Sequence, residues 1–167
     1  GATWETESGK NLIMSILVKE ELNDIDEIFH LNVAVALSVI KALEPLNLSK
    51  LSIKWPNDII EKKKKIGGIL IENSFKSDNK IESIIGIGLN VNQINFDNLP
   101  KASSLSLLKE KEFDLNEILE KLFFQIKKQC SLLLSNQHDF LWNEYHKNLF
   151  KLNTPIAFSD NENNQFM

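Results

Sequence analysis

The amino-acid sequence predicts an α+β fold in which helices pack on one side of a mostly antiparallel sheet. Short apolar, β-prone segments alternate with short polar turns between residues 51 and 91, which is typical of an antiparallel meander. Two longer segments, residues 24–43 and 114–134, instead repeat their apolar side chains at helical spacing. There is no internal repeat and no low-complexity tract.

Composition narrows the function classes before any motif is considered. The chain has 167 residues, enough for one domain with a sizeable core, or for one domain and part of a second. Its net charge of −4 is unlike that of a duplex-DNA-binding module, and we expect no DNA partner for this segment. The single cysteine, Cys130, excludes an internal disulfide and favours a reducing compartment. We therefore expect a cytoplasmic protein without a signal peptide, and no apolar segment long enough to cross a membrane.

The first half of the predicted domain contains one strand, a helix and then a meander. Residues 12–18 form a short apolar run that predicts a buried strand. Asp24 and Glu27 match a capping box, and the helix that follows through residue 43 ends at Pro45. Strands are predicted at residues 51–55, 66–75 and 81–91, with polar turns at 61–65 and 76–80.

The second half is predicted to be helical. Residues 92–113 are mostly loop, and a second capping box, Asp114 with Glu117, begins an amphipathic helix to about residue 134. Its apolar side includes Phe123 and Cys130, and a shorter aromatic-rich helix covers residues 138–149. We assign residues 1–150 to one domain and 151–167, with a strand from 154, to the start of a small β domain. Because the chain lacks an initial methionine and stops soon after that strand, we expect a fragment.

Alternation along the strand at residues 81–91 gives it one apolar face and one bare face. Ile87 and Leu89 share the first face, while Gly86, Gly88 and Asn90 share the second. Glycine weakens a strand, so two on one face indicate that something packs flat against the backbone. A bound ligand and a β-bulge or crossing helix are equally consistent with this pattern. Asparagine favours the ligand, since its amide can pair with a base such as adenine.

Two further features accompany this strand. Lys54 ends a strand beside Trp55, and Pro56 fixes the backbone immediately afterwards. A strand lysine is more often a surface residue than an anion-binding group, and both interpretations stay open. Gly67 and Gly68 form another patch without side chains, which indicates either a β-bulge or a ligand that lies close to the backbone.

The lysines at 62–65 fit a solvated hairpin tip. Neither the histidines nor the cysteine have metal-site spacing, so no metal site is predicted.

At this point the sequence resembles a known family, the biotin protein ligases. The motifs are Lys-Trp-Pro-Asn-Asp at residues 54–58, Lys-Ile-Gly-Gly-Ile-Leu at 65–70 and Gly-Ile-Gly-Leu-Asn-Val-Asn at 86–92. The segment from Trp4 through Gly9 to Ser15 also resembles the one that follows that family's biotin loop. The order and spacing agree across residues 1–92. The resemblance implies the class II synthetase-like ligase fold, followed by the start of an SH3-like domain.

The resemblance also implies a reaction and roles for residues. Biotin and ATP, with Mg²⁺, would give biotinyl-AMP, and biotin would then pass to a lysine of a carrier such as the biotin carboxyl carrier of a carboxylase. Lys54 would be the catalytic lysine that touches the biotin carboxylate and the α-phosphate. The biotin-binding residues would be Lys54, Gly67, Gly68, Gly86 and Gly88, and the nucleotide-binding residues Trp4, Asn11 and Asn90. The family's biotin loop would lie upstream of Gly1, and this segment gives no support for the DNA-binding domain that some members have.

Two other functions remain open at this stage. A lipoate or octanoyl ligase or transferase shares the same fold, although the motifs at 54–58 and 65–70 favour biotin. A non-enzymatic binding or assembly module could also keep the scaffold. An exposed β-edge could support a homodimer or dock the acceptor protein.

Overall fold

The computed structural model describes residues 4, 6–22, 25–75, 81–97, 99–155, 158–159 and 165–166. Its main element is a five-stranded antiparallel sheet. The strands are β1 (Leu12–Leu22), β2 (Leu51–Lys54), β3 (Asp58–Glu61), β4 (Lys64–Phe75) and β5 (Ile81–Leu89). Their order across the sheet is β1-β5-β4-β3-β2. The predicted α+β class with an antiparallel sheet is confirmed.

Four helices follow or interrupt these strands among the described residues: α1 (Ile25–Leu43), α2 (Leu105–Lys109), α3 (Leu115–Leu134) and α4 (His138–Lys147). Helix α1 packs against β2, β3 and β4 on one side and against α3 and α4 on the other. Its residues from Val33 to Ile40 are all buried, so α1 is the centre of the core. The sheet, α1 and the α3–α4 pair therefore form three layers, with the helices on one side of the sheet.

Alternation in the strands decides which side chains face α1. Ile85, Ile87 and Leu89 of β5 are buried there, together with Ile53 of β2 and Ile59 of β3. The predicted core face of the strand at 81–91 is thereby confirmed. The opposite face of the sheet, called here the open face, is not covered by a helix among the described residues.

The structure corrects several element predictions. Strand β3 was not predicted, because only four residues separate the Trp-Pro-Asn turn from the lysine run. Helix α2 was missed within the predicted loop, where Ser104 caps it by accepting a hydrogen bond from the Leu107 amide at 3.3 Å. Phe123 was placed on the apolar side of α3, but its side chain is 51% exposed. Residues 154–155 are not in a strand, and a hairpin of β6 (Phe158–Ser159) and β7 (Gln165–Phe166) follows instead.

Of the two predicted capping boxes, one can be checked. The carboxylate of Asp114 caps α3 by accepting a hydrogen bond from the Asn116 amide at 2.8 Å. Asp24 lies outside the described residues, as do residues 156 and 157 of the predicted last strand. Helix α1 ends at Leu43, and Pro45 lies in the 3₁₀ turn Glu44–Leu46 that follows.

One segment of the described chain is long and apolar enough to cross a membrane by length and composition alone. It is Asp26–Leu46, with a mean hydropathy of 1.4 over its most apolar window. The sequence was not expected to contain such a segment. Most of that window is buried between the sheet and the other helices, as in the core helix of a globular domain.

The two outer edges of the sheet differ. Strand β2 is covered, because Ile53 donates its amide to the Asn148 carbonyl and accepts from the Phe150 amide, both at 2.8 Å. Glu61, 3% exposed, also holds the β2–β3 pair by accepting from the Ser49 hydroxyl at 2.8 Å and the Lys50 amide at 3.0 Å. The outer edge of β1 pairs with no strand in the part of the chain that the structure describes.

Candidate active site

The register of the sheet aligns three of the predicted site residues, Lys54, Gly68 and Gly88, in one row across the open face. Lys54 is opposite Asp58, Asp58 opposite Gly68, and Gly68 opposite Gly88. Ile13 of β1 completes this row, called here the site row. Directly opposed residues of antiparallel strands point to the same face. At the usual spacing between strands, Lys54 and Gly88 are about 14 Å apart.

The indole of Trp4 lies on the two glycines of the site row. A Cβ built at Gly88 would be 2.7 Å from Trp4 Cε2, and one at Gly68 would be 3.2 Å from Trp4 Cζ3. Only glycine lets the ring lie this close to the backbone. What packs flat against this strand in the structure is therefore the ring of Trp4. Its Nε1 is buried and has no hydrogen-bond partner among the described residues.

A β-bulge separates the roles of Gly67 and Gly68. Ile59 pairs with Gly67 whereas Ile60 pairs with Lys65, which leaves Ile66 as the extra residue of β4. Gly67 lies on the core face, where an added Cβ would be 3.4 Å from the side chains of Ile59 and Leu89. The bulge interpretation thus fits Gly67, and the close-approach interpretation fits Gly68.

The same bulge brings Lys65 onto the open face beside Gly68. Without a bulge, residues three apart on a strand point to opposite faces. Here the Lys65 ammonium would be 3.3 Å from a Cβ at Gly68, and it lies 5.6 Å from the centre of the Trp4 ring. It also forms an ion pair with the Asp58 carboxylate at 2.5 Å. Sequence reasoning had left Lys65 in the hairpin tip, because a lysine run does not show to which face its last side chain points.

The turn after Lys54 is held by both of the helices behind it. The Pro56 carbonyl accepts two hydrogen bonds, from the Tyr145 hydroxyl of α4 at 2.7 Å and from the Asn32 amide of α1 at 3.0 Å. The Asn57 side chain donates to the Ile69 carbonyl at 2.7 Å, and the Ile69 amide donates to the Asn57 carbonyl at 3.1 Å. These four hydrogen bonds fix the backbone of the turn that directly follows Lys54.

Lys54 itself is exposed at the end of β2. Among the described residues no carboxylate lies within ion-pair distance of its ammonium, since Asp58 pairs with Lys65. Trp55 beside it is 65% exposed. The backbone at this position is fixed, while the charge at the tip of the side chain is available to an anion.

The amide of Asn11 joins the Trp4 segment to the loop after β5. Its nitrogen donates to the Thr6 hydroxyl at 2.9 Å and to Gln93 Oε1 at 2.5 Å, and its oxygen accepts from the Val91 amide at 3.0 Å. Gln93 Oε1 also accepts from the Glu7 amide at 3.2 Å. Gln93, 5% exposed, was not singled out from the sequence. In this structure Asn11 and Gln93 hold the segment that carries Trp4.

Asn90 is 3% exposed, below the loop that follows the Gly-Ile-Gly strand. Its nitrogen donates to the Ser103 carbonyl at 3.0 Å, whereas its side-chain oxygen is buried and has no partner in the part of the chain that the structure describes. An acceptor left without a donor inside a protein is costly, so a ligand donor would be favoured there.

Apolar side chains surround Gly86 on the open face. Gly86 is opposite Ser15 of β1 and Leu70 of β4, and Leu70 is 60% exposed. Ile13 and Leu17 flank Ser15 and are also more than half exposed. Among the described residues, a Cβ at Gly86 would meet only Leu70, at 3.5 Å from its carbonyl oxygen, so the surface above Gly86 is free of protein atoms.

In the described part of the chain, no group of three His, Cys, Asp or Glu side chains could hold a metal ion.

Comparison with known proteins identifies the family. Residues 1–92, more than half of the chain, match the model of the biotin/lipoate A/B protein ligase family. The chain belongs to that family. It is 29% identical over 152 residues to the bifunctional ligase/repressor BirA of Bacillus spizizenii, covering 85% of this chain and 46% of the relative. It is 28% identical to the biotin–[acetyl-CoA-carboxylase] ligase of Mycobacterium tuberculosis, covering 76% of this chain and 47% of the relative.

Solved structures agree with the family. The biotin protein ligase of Aquifex aeolicus in complex with biotin and ATP superposes with a TM-score of 0.75 at 26% identity, covering 94% of this chain and 65% of that one. The fold is therefore that of biotin protein ligases, as the sequence predicted. This ligase-family chain spans about half the length of the curated relatives it matches over most of its residues.

Tyr145 should titrate far above an ordinary tyrosine. Burial raises its pKa from 10.0 to about 12. Because the folded pKa is the higher one, its contribution to stability is complete below pH 10 and is lost as the pH rises through about 12. It is the only tyrosine of the chain, so tyrosinate absorbance reports on it alone. Tyr145→Phe should cost about 1 kcal/mol of unfolding free energy. A midpoint near 10 would contradict the burial of the Tyr145 side chain.

Gly88→Ala should displace Trp4 without unfolding the sheet. The new Cβ would lie 2.7 Å from the indole, whereas in Gly86→Ala it would be 3.5 Å from the nearest atom. We expect acrylamide to quench tryptophan fluorescence more strongly in Gly88→Ala than in the parent, and equally in Gly86→Ala and the parent. In a Trp4→Phe background, Gly88→Ala should no longer increase the quenching. Equal quenching in the parent, in Gly88→Ala and in Gly86→Ala would show that Trp4 does not lie on Gly88.

Proposed function

We propose that the protein is an ATP-dependent biotin ligase that forms biotinyl-AMP and transfers biotin to a lysine of a carrier protein. The observation that carries this proposal is the site row, in which an unpaired lysine ends a glycine floor covered by an indole. The relative from Aquifex aeolicus, solved with biotin and ATP, supports the choice of substrates.

The first step joins two anions, which is its main electrostatic difficulty. A biotin carboxylate oxygen attacks the α-phosphorus of ATP, and the bond to the pyrophosphate leaving group breaks. In this proposal the ammonium of Lys54 lies between the carboxylate and the α-phosphate, where it reduces their repulsion and stabilises charge on the phosphoryl oxygens. The turn bound by Tyr145 and Asn32 keeps the lysine backbone in place, which lowers the entropic cost of this alignment.

Biotin would lie along the open face beyond Gly68 and Gly88. The open floor at Gly86, bordered by Leu70 and Ile13, offers an apolar surface with a hydroxyl at Ser15. Gly67 faces the core, so its role in this proposal is to allow the bulge and not to touch biotin.

The nucleotide would lie beside Trp4 and Asn90. The buried oxygen of Asn90 has no partner among the described residues and would accept a hydrogen bond from the exocyclic amine of adenine. The amide of Asn11 is already bonded to the protein, so its contribution is to position Trp4. Lys65 adds a second positive charge next to Trp4, partly balanced by Asp58. Mg²⁺ would arrive on the phosphates of ATP, since it binds readily through substrate phosphates.

The second step requires an acceptor lysine. Its neutral amine attacks the acyl carbon of biotinyl-AMP, a carbon–nitrogen bond forms, and AMP leaves. The name of the Mycobacterium tuberculosis relative supports a carboxylase as the acceptor, and we propose its biotin carboxyl carrier domain. With the single cysteine, this chemistry favours a cytoplasmic location.

Lys54→Ala in the full-length protein should lower biotin-dependent exchange of labelled pyrophosphate into ATP by about 10²–10³-fold, the usual loss for one oxyanion-type donor. The matched control is Lys50→Ala, an exposed lysine in the turn before β2, which should keep the parent rate. Both variants should melt at the parent temperature, because neither ammonium forms an ion pair among the described residues.

The same assay separates the alternatives. Exchange with lipoate and not with biotin would assign the chain to the lipoate branch of the family. No exchange with either acid, together with normal biotinylation of carriers in cells that hold Lys54→Ala, would support the non-enzymatic module.

A further inference from the structure

The hairpin between β3 and β4 carries a concentrated positive charge close to the proposed site. Lys62 and Lys63 form its turn and Lys64 begins β4, and all three are exposed. Lys101 lies beside them, because the Lys65 amide donates to its carbonyl at 2.7 Å. These four residues, 62–64 and 101, are called here the lysine tip.

The charge of the lysine tip is not balanced within the described chain. No carboxylate of a described residue lies within ion-pair distance of these ammonium groups, and Lys64 instead donates to the Pro100 carbonyl. The nearest acids on β3 are already used, since Asp58 pairs with Lys65 and the Glu61 carboxylate accepts from Ser49 and Lys50. The chain as a whole has a net charge of −4, so the positive charge of the lysine tip is opposite in sign to the net charge of the chain.

The lysine tip also lies within reach of whatever binds over Lys54. Asp58 is opposite Lys54, and Lys62 follows Asp58 by four residues along the strand direction. At the usual rise per strand residue this is about 13 Å. A standard protein interface covers about 800 Å² per partner, which for a round patch is a radius of about 16 Å. A protein centred on Lys54 would therefore cover the tip.

We infer that the lysine tip is a docking surface for an acidic face of the acceptor protein. The inference rests on the proposed ligase function, which requires a protein to bring its lysine to Lys54. Complementary charge at the rim of an interface mainly raises the association rate, and salt screens it. Lys62–Lys64 would thus speed the encounter with the acceptor and take no part in forming the adenylate.

The test compares two half-reactions in the full-length protein, with the apo biotin carboxyl carrier domain of the same organism as acceptor. The variant is Lys62→Glu/Lys63→Glu/Lys64→Glu. Its control is Lys121→Glu/Lys127→Glu/Lys128→Glu, which reverses three exposed charges on α3, beyond α1 from the sheet. A neutral version, Lys62→Gln/Lys63→Gln/Lys64→Gln, and an arginine version complete the set.

We expect kcat/KM for the carrier domain to fall about tenfold at low salt in the glutamate variant, and less at high salt. The glutamine version should show a smaller fall, the arginine version should match the parent, and the α3 control should also match it. Biotin-dependent pyrophosphate exchange should stay within about twofold of the parent in every variant.

Two outcomes would overturn the inference. Unchanged transfer in both the glutamate and glutamine variants would show that the tip is only a solvated turn. A parallel loss of pyrophosphate exchange would show that it serves the triphosphate instead of a protein. Failure of the proposed function looks different, because the parent protein would then show no biotin-dependent exchange.

Discussion

The site depends on a one-residue bulge in the pairing of β3 with β4. Ile66 and Gly67 together oppose Ile59, and every later pair of β4 is shifted by this extra residue. Continuous pairing from Lys65 would place Gly67 opposite Asp58; the bulge places Gly68 there instead. It also turns Lys65 and Gly68 to the same face, so that the lysine can reach both Asp58 and Trp4. The glycine floor and its charges thus follow from a single local irregularity.

The helical layer makes this arrangement rigid. Tyr145 and Asn32 come from different helices and converge on the carbonyl of Pro56. Their donors lie in the buried layer between α1 and α4, where an unpaired polar group would be costly. Helix α1 therefore supports the candidate site through its polar Asn32 as well as through its apolar core residues. A turn held in this way can present a mobile lysine side chain from a fixed backbone.

Sequence patterns predicted those parts of the molecule that repeat with a regular period. Alternation identified the two faces of β5, and the apolar period of α1 identified the central helix. The pair Gly67 and Gly68 allowed a bulge as one of two interpretations, but the sequence did not decide for it or place the extra residue at Ile66, because the pairing of β3 with β4 sets that position. The Tyr145–Pro56 bond was also beyond reach, since its partners are separated by 89 residues. The alternation along the strand did not decide between a surface role and an anion-binding role for Lys54. Only the site row, with Asp58 and Gly68, shows what lies beside it.

The family comparison and the geometry support one account from two directions. The family match ends at residue 92, two residues after Asn90, and all residues of the site row lie before it. The most direct test is a crystal structure of the full-length protein with a non-hydrolysable biotinyl-adenylate analogue. The account predicts the ligand along the open face, with its phosphoryl group at Lys54 and its adenine near Asn90. A ligand bound between α1 and α3, on the other side of the core, would contradict it.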